Sequence, residues 1–229
     1  MKREVALVGA GRMGEFLAGQ FPTEVNLVVI DVDAEKAEAL AKRAGGKHAV
    51  GAEGAAQAEI VVTALPAPKV AEAFEELAKA VKPGALVLNM STEAVIDEAF
   101  KRENPDAHFI NAKIVGHAKS MQRGLPGYLI LDTEDTAALE QIRTVLPGFA
   151  KILSGDISLV PVANKIGSGE GIATAVAVRK KLRESGVPED WADVVISTVC
   201  AGTMRAYVDG DLGEFARKLA DKLEQETQD

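Results

Sequence analysis

The segment Gly9-Ala10-Gly11-Arg12-Met13-Gly14 constrains this chain more than any other. It follows a short apolar run over 4–8 that reads as a buried strand. It opens a stretch over 13–20 whose apolar residues recur three and four apart, as on a helix face. In a strand that turns into a helix this way, the first glycine allows the tight turn and the second lets a ligand approach the backbone. The third lets helix and strand pack closely. The helix N-terminus adds free amides and a partial positive charge, which suit a diphosphate. Asp31 ends the next apolar run, 22 residues beyond Gly9, where a carboxylate accepts hydrogen bonds from ribose hydroxyls. A dinucleotide is therefore expected against Gly9, Gly11, Met13, Gly14 and Asp31. A carboxylate repels a 2′-phosphate, so Asp31, reinforced by Asp33, favours NAD over NADP. Arg12 reads equally well as a phosphate ligand and as a solvated residue at the start of the helix.

The rest of the first two-thirds repeats the same alternation. Strands are expected at 26–30, 47–50, 59–64, 85–89, 107–115, 128–131 and 150–153. Helices are expected at 34–44, 69–81, 93–102 (capped by Ser91 or Thr92) and 136–146. This is the pattern of an α/β fold, a Rossmann doubly wound and mostly parallel sheet. Beyond Gly155 only helical periodicity remains, over 156–185, 188–208 and 210–226, broken at Gly186-Val187-Pro188 and Asp209-Gly210-Asp211. The chain accordingly divides into a dinucleotide-binding domain, 1–155, and a small all-helical substrate and dimerisation domain, 156–229.

Composition narrows the function classes. With 34 acidic against 26 basic residues the net charge is −8, and no basic run interrupts it, so nucleic acid is not an expected partner. No apolar run approaches the length of a membrane span, and the N-terminal stretch lacks a signal-peptide pattern, so a cytoplasmic protein is expected. Cys200 is the lone cysteine, and His48, His108 and His117 are scattered, so neither a disulfide nor a metal site is expected.

Two later segments carry a family resemblance. Thr63-Ala64-Leu65-Pro66 and Asn89-Met90-Ser91-Thr92, each closing a strand, resemble the cofactor-lining motifs of β-hydroxyacid dehydrogenases, relatives of 6-phosphogluconate dehydrogenase. The resemblance implies that Leu65 and Pro66 cover the adenosine and pyrophosphate side, with Asn89 and Ser91 near the nicotinamide ribose. It aligns the family's substrate loop with Asn111-Ala112-Lys113-Ile114-Val115-Gly116-His117, where Val115 stands in place of the family's serine. It also aligns the family's catalytic lysine with Lys165, although Gly169 stands where an asparagine would follow. Ile166-Gly167-Ser168-Gly169-Glu170-Gly171 is similar instead to the Gly-Ser-Gly segment of pyrroline-5-carboxylate reductases, whose short helical C-terminal region dimerises. Overall length also suits the deazaflavin-dependent NADP reductases of the same superfamily, but Asp31 argues against their cofactor.

Lys165 is the candidate proton donor, with His117 on the loop after a strand as its rival. Ser168 is a candidate hydrogen-bond donor. The glycines at 167, 169 and 171 would each cost a helix about 1 kcal/mol relative to alanine. They read either as a surface closely approached by substrate, nicotinamide or a partner helix, or as a loop before a helix that starts near Ile172. Trp191, Cys200 and Met204 recur at helical spacing as core or dimer-interface residues, and the acidic tail 221–229 as a fraying helix end. Two functions follow. One is an NAD(P)-dependent oxidoreductase acting on a small carboxylate-bearing hydroxy acid, keto acid or imine, assembled as a homodimer through its C-terminal helices. The other is a non-catalytic NAD(H)-binding or sensing protein of the same fold.

Overall fold

The computed structural model describes residues 2–226. Strands β1 (Arg3–Val8), β2 (Val25–Ile30), β3 (Lys47–Ala49), β4 (Ile60–Thr63), β5 (Leu86–Asn89), β6 (His108–Val115), β7 (Tyr128–Leu131) and β8 (Lys151–Ser154) form one sheet. Its order is β3-β2-β1-β4-β5-β6-β7-β8. All neighbours from β3 to β6 pair in parallel; β7 turns back antiparallel to β6, and β8 runs parallel to β7. Helices α1 (Arg12–Ala18), α2 (Ala34–Ala44), α3 (Ala67–Ala80), α4 (Glu98–Glu103), α5 (Ala118–Gln122) and α6 (Thr136–Val145) make the connections. This is the expected Rossmann α/β fold.

Both faces of the sheet are covered, which is why its strands read as continuous apolar runs. Val5 and Leu7 of β1 point to one face, with Ile60 and Val62 of β4, and meet Phe16 and Leu17 of α1, Leu40 of α2 and Ile142 of α6. Ala6 and Val8 alternate to the other face and meet Val70, Phe74 and Leu77 of α3. There Phe74, Phe100 and Phe109 pack ring to ring, with centroids 5.1–6.4 Å apart. Local signals fix the ends of α2. The carboxylate of Asp33 accepts from the Lys36 amide at 3.2 Å, and Gly45 takes the left-handed conformation (φ +70°) that closes the last turn.

The helix expected over 93–102 is shorter than its sequence pattern. Helix α4 begins at Glu98, and the side chain of Asp97, rather than Ser91 or Thr92, caps it by accepting from the Phe100 amide at 2.8 Å. Residues 91–97 stay irregular because side chains from neighbouring strands take their carbonyls. The Lys113 ammonium donates to those of Ser91 and Ala94, Asn89 Nδ2 to that of Ala94, and Asn111 Nδ2 to that of Ile96. A helix through this stretch would need the same acceptors.

The chain divides into two compact units, Met1–Lys165 and Ile166–Asp229. The division falls inside α7 (Leu159–Glu184), beyond the change of texture at 155, because the first turns of this helix belong with the sheet. Val160 is buried, and Asn164 Nδ2 donates to the Ile114 carbonyl of β6 at 2.8 Å. In the second unit, α7 is followed by α8 (Glu189–Val194), a π-helical segment (Val195–Cys200), α9 (Ala201–Asp209) and α10 (Glu214–Glu226). Arg179 of α7 ties α8 through Glu189 at 2.9 Å and Asp193 at 2.5 Å. Gly186 and Gly210, both at positive φ, make the breaks.

Glycines 167, 169 and 171 lie within α7, so the alternative of a loop ahead of a later helix does not hold. Trp191 and Met204 are exposed and Cys200 half-buried, so Trp191 and Met204 are not core residues of this chain. Among the described residues no helix is long and apolar enough to cross a membrane. The acidic tail is helical and exposed through Glu226, and 227–229 lie outside the described residues.

Candidate functional site: a dinucleotide cradle and a buried polar corner

The strand order reverses direction at β1, which pairs with β2 on one side and β4 on the other. Connections leaving the carboxyl ends of β1 and β4 diverge there and open a crevice. Gly9 sits in it at φ +104°, its amide donating to the Ile30 carbonyl at 2.7 Å. A Cβ on Gly9 would come within 2.6 Å of the Ala64 carbonyl oxygen, and one on Gly14 within 1.9 Å of the Gly9 oxygen. Both glycines are therefore required by the protein's own backbone. Gly11 differs: it is exposed, nothing lies within 4 Å of its would-be Cβ, and as N-cap of α1 it leaves the helix without a side-chain cap. A diphosphate lying across Gly11 would meet bare backbone and uncapped amides. Arg12 beside it is exposed, and Met13 is half-buried against the core.

Asp31 is held rather than free. Its Oδ2 accepts from the Ala10 amide at 2.7 Å and its Oδ1 from the Asp33 amide at 2.9 Å. The carboxylate thus joins the glycine loop to the turn after β2, and each oxygen keeps a lone pair for a ribose hydroxyl. It lies on the rim of a cleft of about 340 Å³ walled by Val8, Ile30, Leu65, Pro66 and Leu77. Val32, 95% exposed, stands at the same rim. Lys69, Glu72 and Glu76 of α3 also line the cleft, and the apolar walls with the fixed carboxylate of Asp31 match an adenosine, so the residues present fit a dinucleotide.

A second polar group lies farther along the sheet, at the carboxyl ends of β4, β5 and β6. Thr63, Asn89, Asn111 and Lys113 are all almost fully buried. Asn89 directs both amide donors inward, to Ala94 O and Asn111 Oδ1, each at 2.9 Å, and its oxygen accepts from the Ser91 amide. Its place at this corner is to shape the turn, since no donor remains for a ligand. Ser91 is buried too, with Oγ 3.4 Å from the Ala94 amide. Asn111 donates from its main-chain and side-chain nitrogens to Asp132, each at 2.7 Å, and Asp132 also takes Lys101 at 2.9 Å. Lys113, 1% exposed, sits under the turn and reaches the two carbonyls of Ser91 and Ala94. Burial pulls its ammonium down to about 8, against the attraction of Asp132. Sequence reasoning passed over Lys113, Asn111 and Asp132. The readable signal was a lysine within an otherwise apolar strand of a sheet covered on both faces.

The remaining candidates are exposed. His117 precedes α5, with Nδ1 3.1 Å from Ser120 Oγ. Its loop is anchored by Met121, whose sulfur fills a slot between Gly116 and Gly127; a Cβ on either glycine would approach that sulfur to 2.5 Å or less. Lys165 follows Asn164, so the hydrogen bond to Ile114 brings its turn of α7 to the end of β6. Ser168 lies on α7 in the second unit, and no atom outside the helix backbone lies within 4 Å of a Cβ built on Gly167, Gly169 or Gly171.

A doubly wound sheet with this cradle at its switch point defines an NAD(P)-binding protein of Rossmann type. More specifically, the chain belongs to the family of the NAD binding domain of 6-phosphogluconate dehydrogenase, whose model matches residues 4–157. No curated protein matches the sequence. Among solved structures it is similar to a pyrroline-5-carboxylate reductase from Coxiella burnetii (13% identity, 97% of this chain and 85% of that one, TM-score 0.77). It is also similar to a 3-hydroxyisobutyrate dehydrogenase from Salmonella typhimurium (22%, 91% and 79%, TM-score 0.63). An imine reductase from a Pseudomonas species matches as well (18%, 93% and 81%, TM-score 0.65). At these identities the likeness is one of fold. The chain therefore carries an NAD(P)-binding oxidoreductase fold shared with dehydrogenases and reductases.

Proposed function

We propose that the protein is an NAD(H)-dependent oxidoreductase acting on a small carboxylate-bearing hydroxy acid, keto acid or imine. The observation that carries this reading is the gathering of the glycine cradle, the 91–94 turn and the start of α7 at the carboxyl ends of β1, β5 and β6. The glycine loop and Asp31 would hold the dinucleotide, whose nicotinamide, when bound, supplies or accepts a hydride. The Lys165 ammonium would give a proton to the carbonyl or imine, or receive it in the reverse direction. His117 is the rival for that proton. The exposure of Lys165 and His117 also favours a second reading, a protein that binds NAD(H) without turnover.

Asp31 supports NAD over NADP, and the apolar exposure of the second unit supports a homodimer built through the C-terminal helices. One set of measurements tests these readings. NADH is expected to bind at least about tenfold more tightly than NADPH, a gap of about 1.4 kcal/mol. With a panel of keto acids and cyclic imines, Lys165→Met should lower turnover by ~100-fold and leave NADH affinity nearly unchanged. Loss of turnover in His117→Ala alone would move the proton to the loop. Binding with no turnover on any substrate would leave the sensor reading.

A further inference from the structure

We propose that Lys113 is a positioning residue for the cofactor: its buried ammonium clamps the Ser91–Ala94 turn and thereby sets the nicotinamide end of the site. This rests on the reading of that turn as the wall of the nicotinamide ribose. Three observations support the clamp. Lys113 is buried within β6, beside the carboxyl end of β5, where an ammonium is strongly disfavoured unless hydrogen-bonded. Its two acceptors are carbonyls of the turn itself, Ser91 O and Ala94 O, and Asn89 joins it on Ala94 O. The turn also departs from the helix that its sequence favours, so something outside the segment must hold it open. Lys113 and the two asparagines are the groups that do so.

A lysine here does what an apolar residue cannot. One side chain satisfies two main-chain acceptors with charge-assisted hydrogen bonds, and its stem fills the layer beneath. The charged group that acts on it is Asp132, just after β7, which in turn pairs with Lys101 of α4 at 2.9 Å, as Glu98 does at 2.8 Å. None of these carboxylates hydrogen-bonds Lys113 itself. Deprotonation removes the charge from both bonds and one of the three N–H donors, and sets a lone pair among carbonyl oxygens, so the clamp weakens as pH rises past about 8. Lys101 is pushed the opposite way: burial lowers it, but its hydrogen bonds to Asp132 and Glu98 outweigh that and raise it, so it stays charged through this range.

The test is calorimetric titration of the full chain with NADH and with 5′-AMP at pH 7 and pH 9.5, for the wild type and Lys113→Met. AMP carries the adenosine and one phosphate but no nicotinamide, so it probes the adenosine end alone. The expected result is a loss of about tenfold in NADH affinity for Lys113→Met at pH 7, with AMP unchanged. The wild type should lose a similar factor for NADH on going to pH 9.5, and the variant should lose no more. Equal NADH affinity of variant and wild type, or the same pH dependence in both, overturns the clamp. So does a parallel loss of AMP, which would mark general unfolding of the sheet. The wild-type pH comparison needs no variant, so it decides the matter even if Lys113→Met fails to fold. A wild type that binds AMP but not NADH at pH 7 overturns the cofactor reading, and the clamp with it. A wild type that binds NADH while the variant binds it equally well overturns the clamp alone.

Discussion

Most apolar side chains of residues 1–165 are buried against the two faces of the sheet, whereas most large apolar side chains of residues 166–226 are exposed or half-buried. In the first unit even Lys113 is buried, and Phe74, Leu77 and Ile142 have lost nearly all solvent contact. In the second, Ala192 is the one buried residue among those described, and Val176, Val194, Val199, Met204 and Phe215 stand in the open. The first unit has a core of its own making. The second has helices whose large apolar side chains stand exposed among the described residues.

Three experiments would break or sharpen that contrast, the largest effect first. Phe74→Ala removes a ring packed against Phe100 and Phe109, and should cost about 3–5 kcal/mol, read as a lower denaturant midpoint at constant slope. A cost below about 1 kcal/mol would mean that the sheet unit is far softer than its packing suggests. Next comes Val199→Asp. If the open face of the helices is covered by a second copy, an unpaired carboxylate there should weaken association by about 2–5 kcal/mol. Light scattering should then show a dimeric wild type and a monomeric variant, while the helical circular dichroism of the two stays alike. A wild type that is monomeric at micromolar concentration sinks the homodimer. The smallest effect is that of Gly169→Ala, where the added methyl meets no other part of the chain. It should raise thermal stability by roughly 0.5–1 kcal/mol through helix propensity alone. A destabilised variant would instead mean that something outside this chain packs on that glycine.

The same contrast explains what could be read in advance. Where the determinant was local, the sequence pattern sufficed: the helix expected over 34–44 forms as Ala34–Ala44, and the glycine loop foretold the parallel sheet around it. Where the determinant lay far along the chain, it did not. The segment 91–97 has helical periodicity, but Lys113, on a strand 22 residues beyond Ser91, takes the carbonyls a helix would use. Helix α5 escaped notice because five residues between Gly116 and Gly124 are too few to show a period. Glycines 167, 169 and 171 argued locally against a helix, yet they ride inside one 26 residues long, where the flanking turns outweigh a cost of about 1 kcal/mol each. At the glycine cradle, spacing was legible because Gly9 and Gly14 answer to backbone contacts within the chain, while Gly11 leaves the start of α1 bare.

The slot that holds Met121 has a bearing on how this protein can change over generations. Its sulfur occupies space that a side chain at either Gly116 or Gly127 would claim. A side chain at either glycine would displace the flexible end of Met121 from its slot, so it is best accommodated where the methionine has been traded for something shorter. The three positions should drift together or stay fixed together. Among descendants of a common ancestor, a residue larger than glycine at 116 or 127 should travel with a smaller one at 121, on the loop that carries His117.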